Sequence, residues 1–254
     1  MVLIESEVIN NNILIIKIPN GNCVNINLEE VESRNDIRNA ILHFKQRQEG
    51  FDCGNEVGEF LGNFLETRNQ RSLRLLYFKC GMKTERNYTT NSEFWLNPVP
   101  ILNDFLAYQD LSTFMLTTES SVIELNERLN ELKEDDKCKV STRNFRPNIS
   151  VKGTKPFDED WWNEVKIGEA IFSCYRPCSR CIFITVNPDT GFLMKNMQPL
   201  RLLRTYRIAP KGKLRDFYGE SPIFGVYMIL KKEGRINVGV VADAPPFTLT
   251  RLLS

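Results

Sequence analysis

From Arg143 onward most of the apolar residues come in short runs separated by turn-forming residues, and this spacing constrains the fold more than any other feature of the chain. The runs are Asn148 to Val151, Glu169 to Cys174, Ile182 to Val186, Ile223 to Leu230 and Ile236 to Val241. Runs this short, bounded by Gly, Pro and Asn, are strand-like. Several such strands in succession read as a barrel-like sheet.

Before Arg143 the texture is mixed. Ile13 to Ile18 and Val24 to Leu28 flank Pro19-Asn20-Gly21-Asn22, which predicts a β-hairpin. Between Asp52 and Leu65 the residues Val57, Phe60, Leu61, Phe64 and Leu65 form the stripe of an amphipathic helix. Gly54, Gly58 and Gly62 weaken that helix, so packing must hold it. His43 sits in a charged, helix-like segment. Leu73 to Phe78 is expected as a strand, Lys79 to Pro100 as a long loop and Ser112 to Thr118 as another strand. Ser121-Val122-Ile123-Glu124 has the pattern of a capping box, opening a helix with Val122, Leu125, Leu129 and Leu132 on one side. The acidic tract Glu131 to Asp136 closes it. The expected class is α+β, mainly β, with an N-terminal α/β region over 1–140 and a barrel-like domain over 141–254.

At 254 residues the chain is long enough to bury about three-quarters of its unfolded surface. Its 33 Lys and Arg against 32 Asp and Glu create no overall field for phosphate backbones, so nucleic acid is a poor candidate partner. No run has the roughly 18 apolar residues of a membrane span, and Lys17 interrupts the best stretch. Seven cysteines, odd in number and without framework-like spacing, favour reduced thiols inside a cell.

Three of those thiols fall in Cys174-Tyr175-Arg176-Pro177-Cys178-Ser179-Arg180-Cys181. The C-x3-C-x2-C spacing is shared with the iron-sulfur triad of radical S-adenosylmethionine enzymes, but only 73 residues follow Cys181, too few for repeated β/α units. Structural zinc would need a fourth ligand; His43 is distant, and the spacing of Cys138 or Cys80 does not recommend either. A thioredoxin-like pair would open a helix, whereas here a strand is expected to follow. Burial as small hydrophobes at a strand entry remains an equal alternative on spacing alone.

The surroundings narrow the choice. Cys178-Ser179-Arg180-Cys181 with the following Asn187-Pro188-Asp189-Thr190-Gly191 resembles the signature of MOSC domains of the amidoxime-reducing type. Asn144-Phe145-Arg146-Pro147-Asn148-Ile149 matches the R-P-N element of that family, and Tyr218-Gly219-Glu220-Ser221-Pro222-Ile223-Phe224-Gly225 its Y-G-x-S-P-x-F-G element. Phe51-Asp52-Cys53-Gly54 and Thr118-Glu119-Ser120-Ser121 extend the likeness into the N-terminal half, which resembles an incomplete MOSC_N-like region. The C-terminal domain of molybdenum-cofactor sulfurases shares the R-P-N and cysteine elements, while the Pro-Asp-Thr-Gly turn favours the amidoxime-reducing branch.

The resemblance implies a molybdenum–molybdopterin cofactor with Cys181 as catalytic residue and metal ligand, a soft sulfur donor suited to such a centre. Arg146, Asn148, Ser179 and Arg180 are the implied cofactor-binding residues beside Cys181. Arg146 offers a planar fork for an anion, Asn148 a donor and an acceptor, and Arg180 either a charge beside the metal or a solvent-facing salt bridge. Cys174 and Cys178 inherit no ligand role and are expected to be packed thiols. The implied activity is reduction of N-hydroxylated molecules such as amidoximes by oxygen-atom transfer. Electrons would come from NADH through NADH-cytochrome b5 reductase and cytochrome b5, since no pyridine-nucleotide or flavin fingerprint is present.

Animal relatives are anchored in the mitochondrial outer membrane; without an anchor the expectation is a cytosolic protein. The family's Pro-x-Lys-Ser strand and a later arginine lie upstream of where this chain begins, and its V-G-D pattern becomes Val238-Gly239-Val240. Two expectations follow: weaker cofactor retention, and an uncovered edge on the Ile13 to Leu28 hairpin. Two other functions compete with the reductase. One is a cofactor-binding or sulfur-carrier module without turnover. The other is the sulfur-carrying domain of a sulfurase, which would need a desulfurase domain binding pyridoxal phosphate.

Overall fold

A computed structural model describes residues 1–42, 45–65, 73–89, 103–240 and 242–243. It divides into two compact units. The first holds Met1–Asn87, Phe105–Tyr108 and Asp189–Gly191; the second holds Tyr88–Asp104, Gln109–Pro188 and Phe192–Ser254.

In the first unit, β1 (Glu5–Ile9), β2 (Ile13–Lys17) and β3 (Cys23–Asn27) form an antiparallel sheet in that order. The expected hairpin is there, but its edge is not bare: β1 pairs with β2 from Glu5↔Lys17 to Ile9↔Ile13. All five β1 residues are exposed, so nothing in their hydrophobicity marked them as a strand, and Glu5 and Glu7 guard the new edge with charge. Helix α1 (Leu28–Arg34) starts at Asn27, whose side chain accepts from the amides of Glu29 and Glu30.

A second antiparallel sheet follows, with β4 (Ile37–Leu42), β5 (Gln46–Asp52) and, after helix α2 (Asn55–Phe64), β6 (Leu76–Tyr77). The helix-like reading around His43 is therefore wrong for the residues on either side; His43 itself lies outside the described residues. The reason lies in β5. Its alternating buried positions are Gln48, Gly50 and Asp52, a period of two carried by polar residues and glycine. Hydrophobicity cannot report that alternation. Helix α2 forms as expected and packs Val57 and Leu61 against Ile16, Val24, Ile26, Leu28, Val31 and Cys53. Gly58 is explained by close approach, since a Cβ there would run into the Leu73 carbonyl. Strand Leu73 to Phe78 shrinks to β6. The loop from Lys79 falls partly outside the described residues and otherwise contains β7 (Asn87–Thr89), paired with β8 (Asn103–Phe105).

The second unit is built on a six-stranded sheet that curls into half a barrel. Its strands are β9 (Phe114–Thr118), β10 (Ile149–Val151), β11 (Glu164–Ile167), β12 (Ala170–Ser179), β13 (Ile223–Lys232) and β14 (Ala242–Asp243), in the order β10-β9-β13-β12-β11-β14. Only β10 and β9 run parallel, joined through α3 (Glu119–Asn130). The mixed α and β content with strand predominating agrees with the expected class.

Helix α3 starts three residues earlier than expected. Thr118, not Ser121, caps it, accepting from the Ser121 amide. The shorter helices α4 (Thr142–Phe145), α5 (Leu200–Tyr206) and α6 (Lys213–Tyr218) were not anticipated; none is long enough to show a clear period. Ile236 to Val241 is not a strand over its described residues: Val238-Gly239 turns, and Ile236, Val238 and Val240 are exposed.

Ile182 to Val186 is not a strand either. Residues Ile182–Thr185 form one 3-10 turn, with Ile182 and Phe183 exposed and Ile184 and Thr185 buried. Thr185 closes it by donating its hydroxyl to the Ile182 carbonyl at 2.7 Å. A run that reads as continuous apolar strand thus points half its side chains outward.

Strands β12 and β13 are buried on both faces, and register shifts decide which face each residue serves. Phe172 and Cys174 join Val226 and Met228 in one cluster, whereas Tyr175 and Cys178 join Phe224, Tyr227 and Ile229 in the other, together with Leu125 and Leu129 of α3. The bulge between Cys174 and Arg176 switches parity on β12, and Gly225, at φ +82°, switches it on β13. A side chain at 225 would meet the Leu116 carbonyl and the Thr117 and Met115 side chains. Among the described residues no helix is long and apolar enough to cross a membrane.

Candidate cofactor site

The end of β12 gathers the distinctive segments of the second unit, and Arg180 is the residue that ties them together. Its side chain is buried, at 8% exposure, which overturns the reading of a solvent-facing salt bridge. Nε donates to the Phe224 carbonyl at 2.8 Å and Nη1 to the Phe145 carbonyl at 2.9 Å, while Nη2 lies 3.2 Å from Met115 Sδ. The guanidinium also sits 5.5 Å from the Phe145 ring centre, and that ring stacks on Phe224 at 4.0 Å. Its backbone amide donates to the Pro222 carbonyl at 2.8 Å. One arginine therefore joins the cysteine segment, the Asn144–Asn148 segment, the Tyr218–Gly225 segment and β9.

Asn144 makes a second tie. Its amide nitrogen donates to the carbonyls of Ile184 and Val186, at 3.3 and 3.2 Å, pinning α4 to the turn after Cys181. The Tyr218 hydroxyl donates to the Pro177 carbonyl at 3.2 Å. Arg207 pairs with Asp160 at 2.6 Å and donates through Nε to the Ile223 carbonyl at 3.0 Å. These positioning residues were not singled out in the sequence, although Asn144 and Tyr218 lie inside the matched elements. The turn from Pro188 to Gly191 has the conformation expected of it, with Gly191 at φ +75°.

The expected site residues fall around this junction. Cys181 is exposed and follows directly on the buried Arg180, at the entry to the 3-10 turn. Ser179 is half-buried at the last position of β12. Arg146 ends α4 in the left-handed conformation, φ 54° and ψ 47°, with its side chain exposed and, among the described residues, making no hydrogen bond or ion pair. Asn148 is exposed, but its Oδ1 accepts from the Met115 amide at 2.9 Å, leaving the amide nitrogen as its outward donor.

The other two thiols face elsewhere. Cys174 lies in one core cluster and Cys178 in the opposite one. Burial pushes both thiols up; around Cys178 the nearby Arg180 and Arg176 charges and a hydrogen bond with Tyr227 partly oppose it. Three thiols in three environments do not form the cluster or zinc set that their spacing allows. The expected strand after Cys181 no longer argues against a thioredoxin-like pair, but Cys178 does: a buried thiol with a raised pKa is not an activated one. Among the described residues no three His, Cys, Asp or Glu side chains converge on one point, so a metal here would draw its other ligands from elsewhere.

The donors present fit a molybdenum–pterin group. An exposed thiol is a soft donor, and a guanidinium that makes no hydrogen bond or ion pair among the described residues suits an anionic substituent. Comparison with known proteins agrees. The MOSC domain family matches residues 105–242. Human mitochondrial amidoxime-reducing component 1 is 37% identical over 191 residues, covering 75% of this chain and 51% of the relative. Human mitochondrial amidoxime reducing component 2 is 34% identical over 234 residues, covering 92% and 64%, and that of Macaca fascicularis is 34% identical over 229 residues, covering 90% and 62%. The chain spans between about half and two-thirds of these relatives' own length.

Proposed function

This chain belongs to the MOSC domain family, and from that premise we propose that it binds a molybdenum–molybdopterin cofactor through Cys181 and reduces N-hydroxylated small molecules. The observation that carries the reading is the junction at the end of β12. Arg180 binds carbonyls from two other segments there, and the next residue presents its thiol to solvent. Among the described residues the Arg146 guanidinium has no partner, although it follows the residue whose carbonyl Arg180 holds.

In this reading Cys181 is the protein's ligand. Arg146 would bind the anionic end of the pterin, the Asn148 amide nitrogen and the Ser179 hydroxyl would add hydrogen bonds, and Arg180 fixes the backbone that carries Cys181. Bound there, the molybdenum centre would supply the two-electron step that removes oxygen from an amidoxime-type substrate. The cofactor-holding domain is proposed to comprise 141–254 together with β9 and α3, which belong to the same unit. Electrons are assigned to cytochrome b5 and NADH-cytochrome b5 reductase as the family resemblance implies, and the location to a mitochondrial association on the strength of the named relatives.

Metal content is the test. Protein made in a host that synthesises the eukaryotic-type pterin is assayed by mass spectrometry: Cys181→Ala should lose molybdenum and Cys174→Ala should keep it. Equal metal in wild type and Cys181→Ala would sink the assignment. Turnover of a simple amidoxime with the reductase and cytochrome present separates an enzyme from a carrier.

A further inference from the structure

Glu159 is fully buried in the second unit, on the 3-10 turn Asp158–Trp161, and takes no part in the cofactor site. Its carboxyl closes a ring of three side chains at the start of α3. Thr118 Oγ1 lies 3.0 Å from Glu159 Oε2, Ser121 Oγ lies 3.0 Å from both carboxyl oxygens, and Thr118 Oγ1 and Ser121 Oγ lie 2.6 Å apart.

Counting hydrogens decides the charge. The ring has three edges, each short enough to require a hydrogen, and the two hydroxyls bring only two. With Glu159 ionised, one edge brings two oxygens together with nothing between them. With Glu159 protonated, its hydrogen goes to Thr118, Thr118 donates to Ser121 and Ser121 donates to the second carboxyl oxygen. The remaining lone pairs are then used, as the Ser121 amide donates to Thr118 Oγ1 at 3.3 Å and the Phe157 amide to Ser121 Oγ at 2.8 Å.

We propose that Glu159 is held as the neutral acid and acts as a pH-operated latch on the first turn of α3, opening when it ionises. The surrounding charges agree with this. On its own turn lie Asp158, whose carboxylate accepts from the Lys155 amide, and Asp160, which is paired with Arg207 from the end of α5. The start of α3 brings Glu119, paired with Lys152 from the segment after β10. Strand β9 brings no ionisable side chain, and β13 brings Tyr227 in the adjacent cluster. No cation pairs with Glu159 among the described residues. Burial, with the Asp160 charge adding to it, pushes the group up to about 7 despite its own backbone amide and the two hydroxyls, which oppose the shift.

The latch reaches towards the cofactor site through Phe157. Its amide is held by Ser121, its ring lies edge-on to Phe224 at 5.9 Å, and Arg207 covers it at 4.0 Å. Phe224 is the residue whose carbonyl holds Arg180. Ionisation of Glu159 therefore loosens the packing on which Arg180 rests.

The sign of the pH effect follows from linkage. The folded pKa is above the ordinary carboxylate value, so the contribution is complete in acid and is lost as pH rises towards about 7. Over that window the unfolding constant should rise by up to about tenfold per pH unit from this group alone. Thermal unfolding of wild type and Glu159→Gln is compared from pH 5 to pH 8.5 (about the span of the titration). The glutamine amide supplies the missing hydrogen at every pH, so the variant should lose this slope and be the more stable protein above neutrality. A Glu159→Gln profile parallel to wild type overturns the proposal. Infrared spectra of the wild-type protein give a second arm that needs no variant. A protonated carboxyl band present in mild acid and lost through neutrality supports the latch, and its absence in mild acid overturns it.

Discussion

Asp52 in the first unit and Arg180 in the second are both buried charges, but they are stabilised in opposite ways. Asp52 is held by side chains: Arg38 Nε at 2.7 Å and Arg74 Nη1 at 3.4 Å from its Oδ2, with the Gly54 amide donating to Oδ1 at 2.8 Å. Both arginines keep substantial contact with water. Arg180 is held mainly by backbone carbonyls, from two segments that do not touch water at those points. The difference concerns what is left behind when the charge is removed. Arginines at a surface turn back to solvent, whereas buried carbonyls keep their place and lose their donor.

The sharpest way to break the comparison is Arg180→Met, which keeps the apolar stem and strands two carbonyls. The expected loss is about 2 to 6 kcal/mol, at 1 to 3 per stranded group. Denaturant unfolding measures it, and Cys181 should become disordered along with its turn. A loss no greater than that at Asp52 would remove the contrast. Asp52→Asn comes next, with an expected cost of about 1 to 2 kcal/mol, because the amide still accepts from Gly54 and the arginines rehydrate. The same denaturant curves report it, and added salt should narrow the gap between variant and wild type.

Smaller again is Arg146→Gly. A left-handed arginine is strained by about 1 to 2 kcal/mol, and glycine returns 0.5 to 1 of that as lost chain entropy, so a net gain of roughly 0.5 kcal/mol in the cofactor-free protein is expected. Cofactor affinity should fall at the same time. Arg146→Lys should leave stability unchanged yet weaken the cofactor by about 1 to 3 kcal/mol, since an ammonium lacks the two-point fork. Titration calorimetry with the purified pterin cofactor, alongside the unfolding curves, separates the two quantities. Tight binding by Arg146→Lys would show Arg146 to be an ordinary surface charge.

How much of this was legible in the sequence depended on where each signal resides. The hairpin from Ile13, helix α2 and strands β9 and β13 carry their pattern in apolar side chains and were read correctly. Strand β5 buries Gln48 and Asp52, and β1 buries nothing, so neither has a hydrophobic period to read. Ile182 to Val186 has an apolar run but no strand, because Asn144 and Thr185 take up its carbonyls in a turn. At the candidate site the cysteine segment was legible through resemblance. The role of Arg180 was not. Its partners are carbonyls 35 and 44 residues away, and a backbone carbonyl has no identity in a sequence.

The parity switch in β12 has a consequence in time as well as in space. Cys174 and Cys178 stand four residues apart on one strand, yet each is sealed beneath a different layer of side chains. Their alkylation rates under mildly destabilising conditions therefore act as two clocks on one strand, each started by the opening of its own layer. Equal rates mean that the sheet comes apart in a single cooperative event. Unequal rates identify which layer is shed first while the strand between them is still paired.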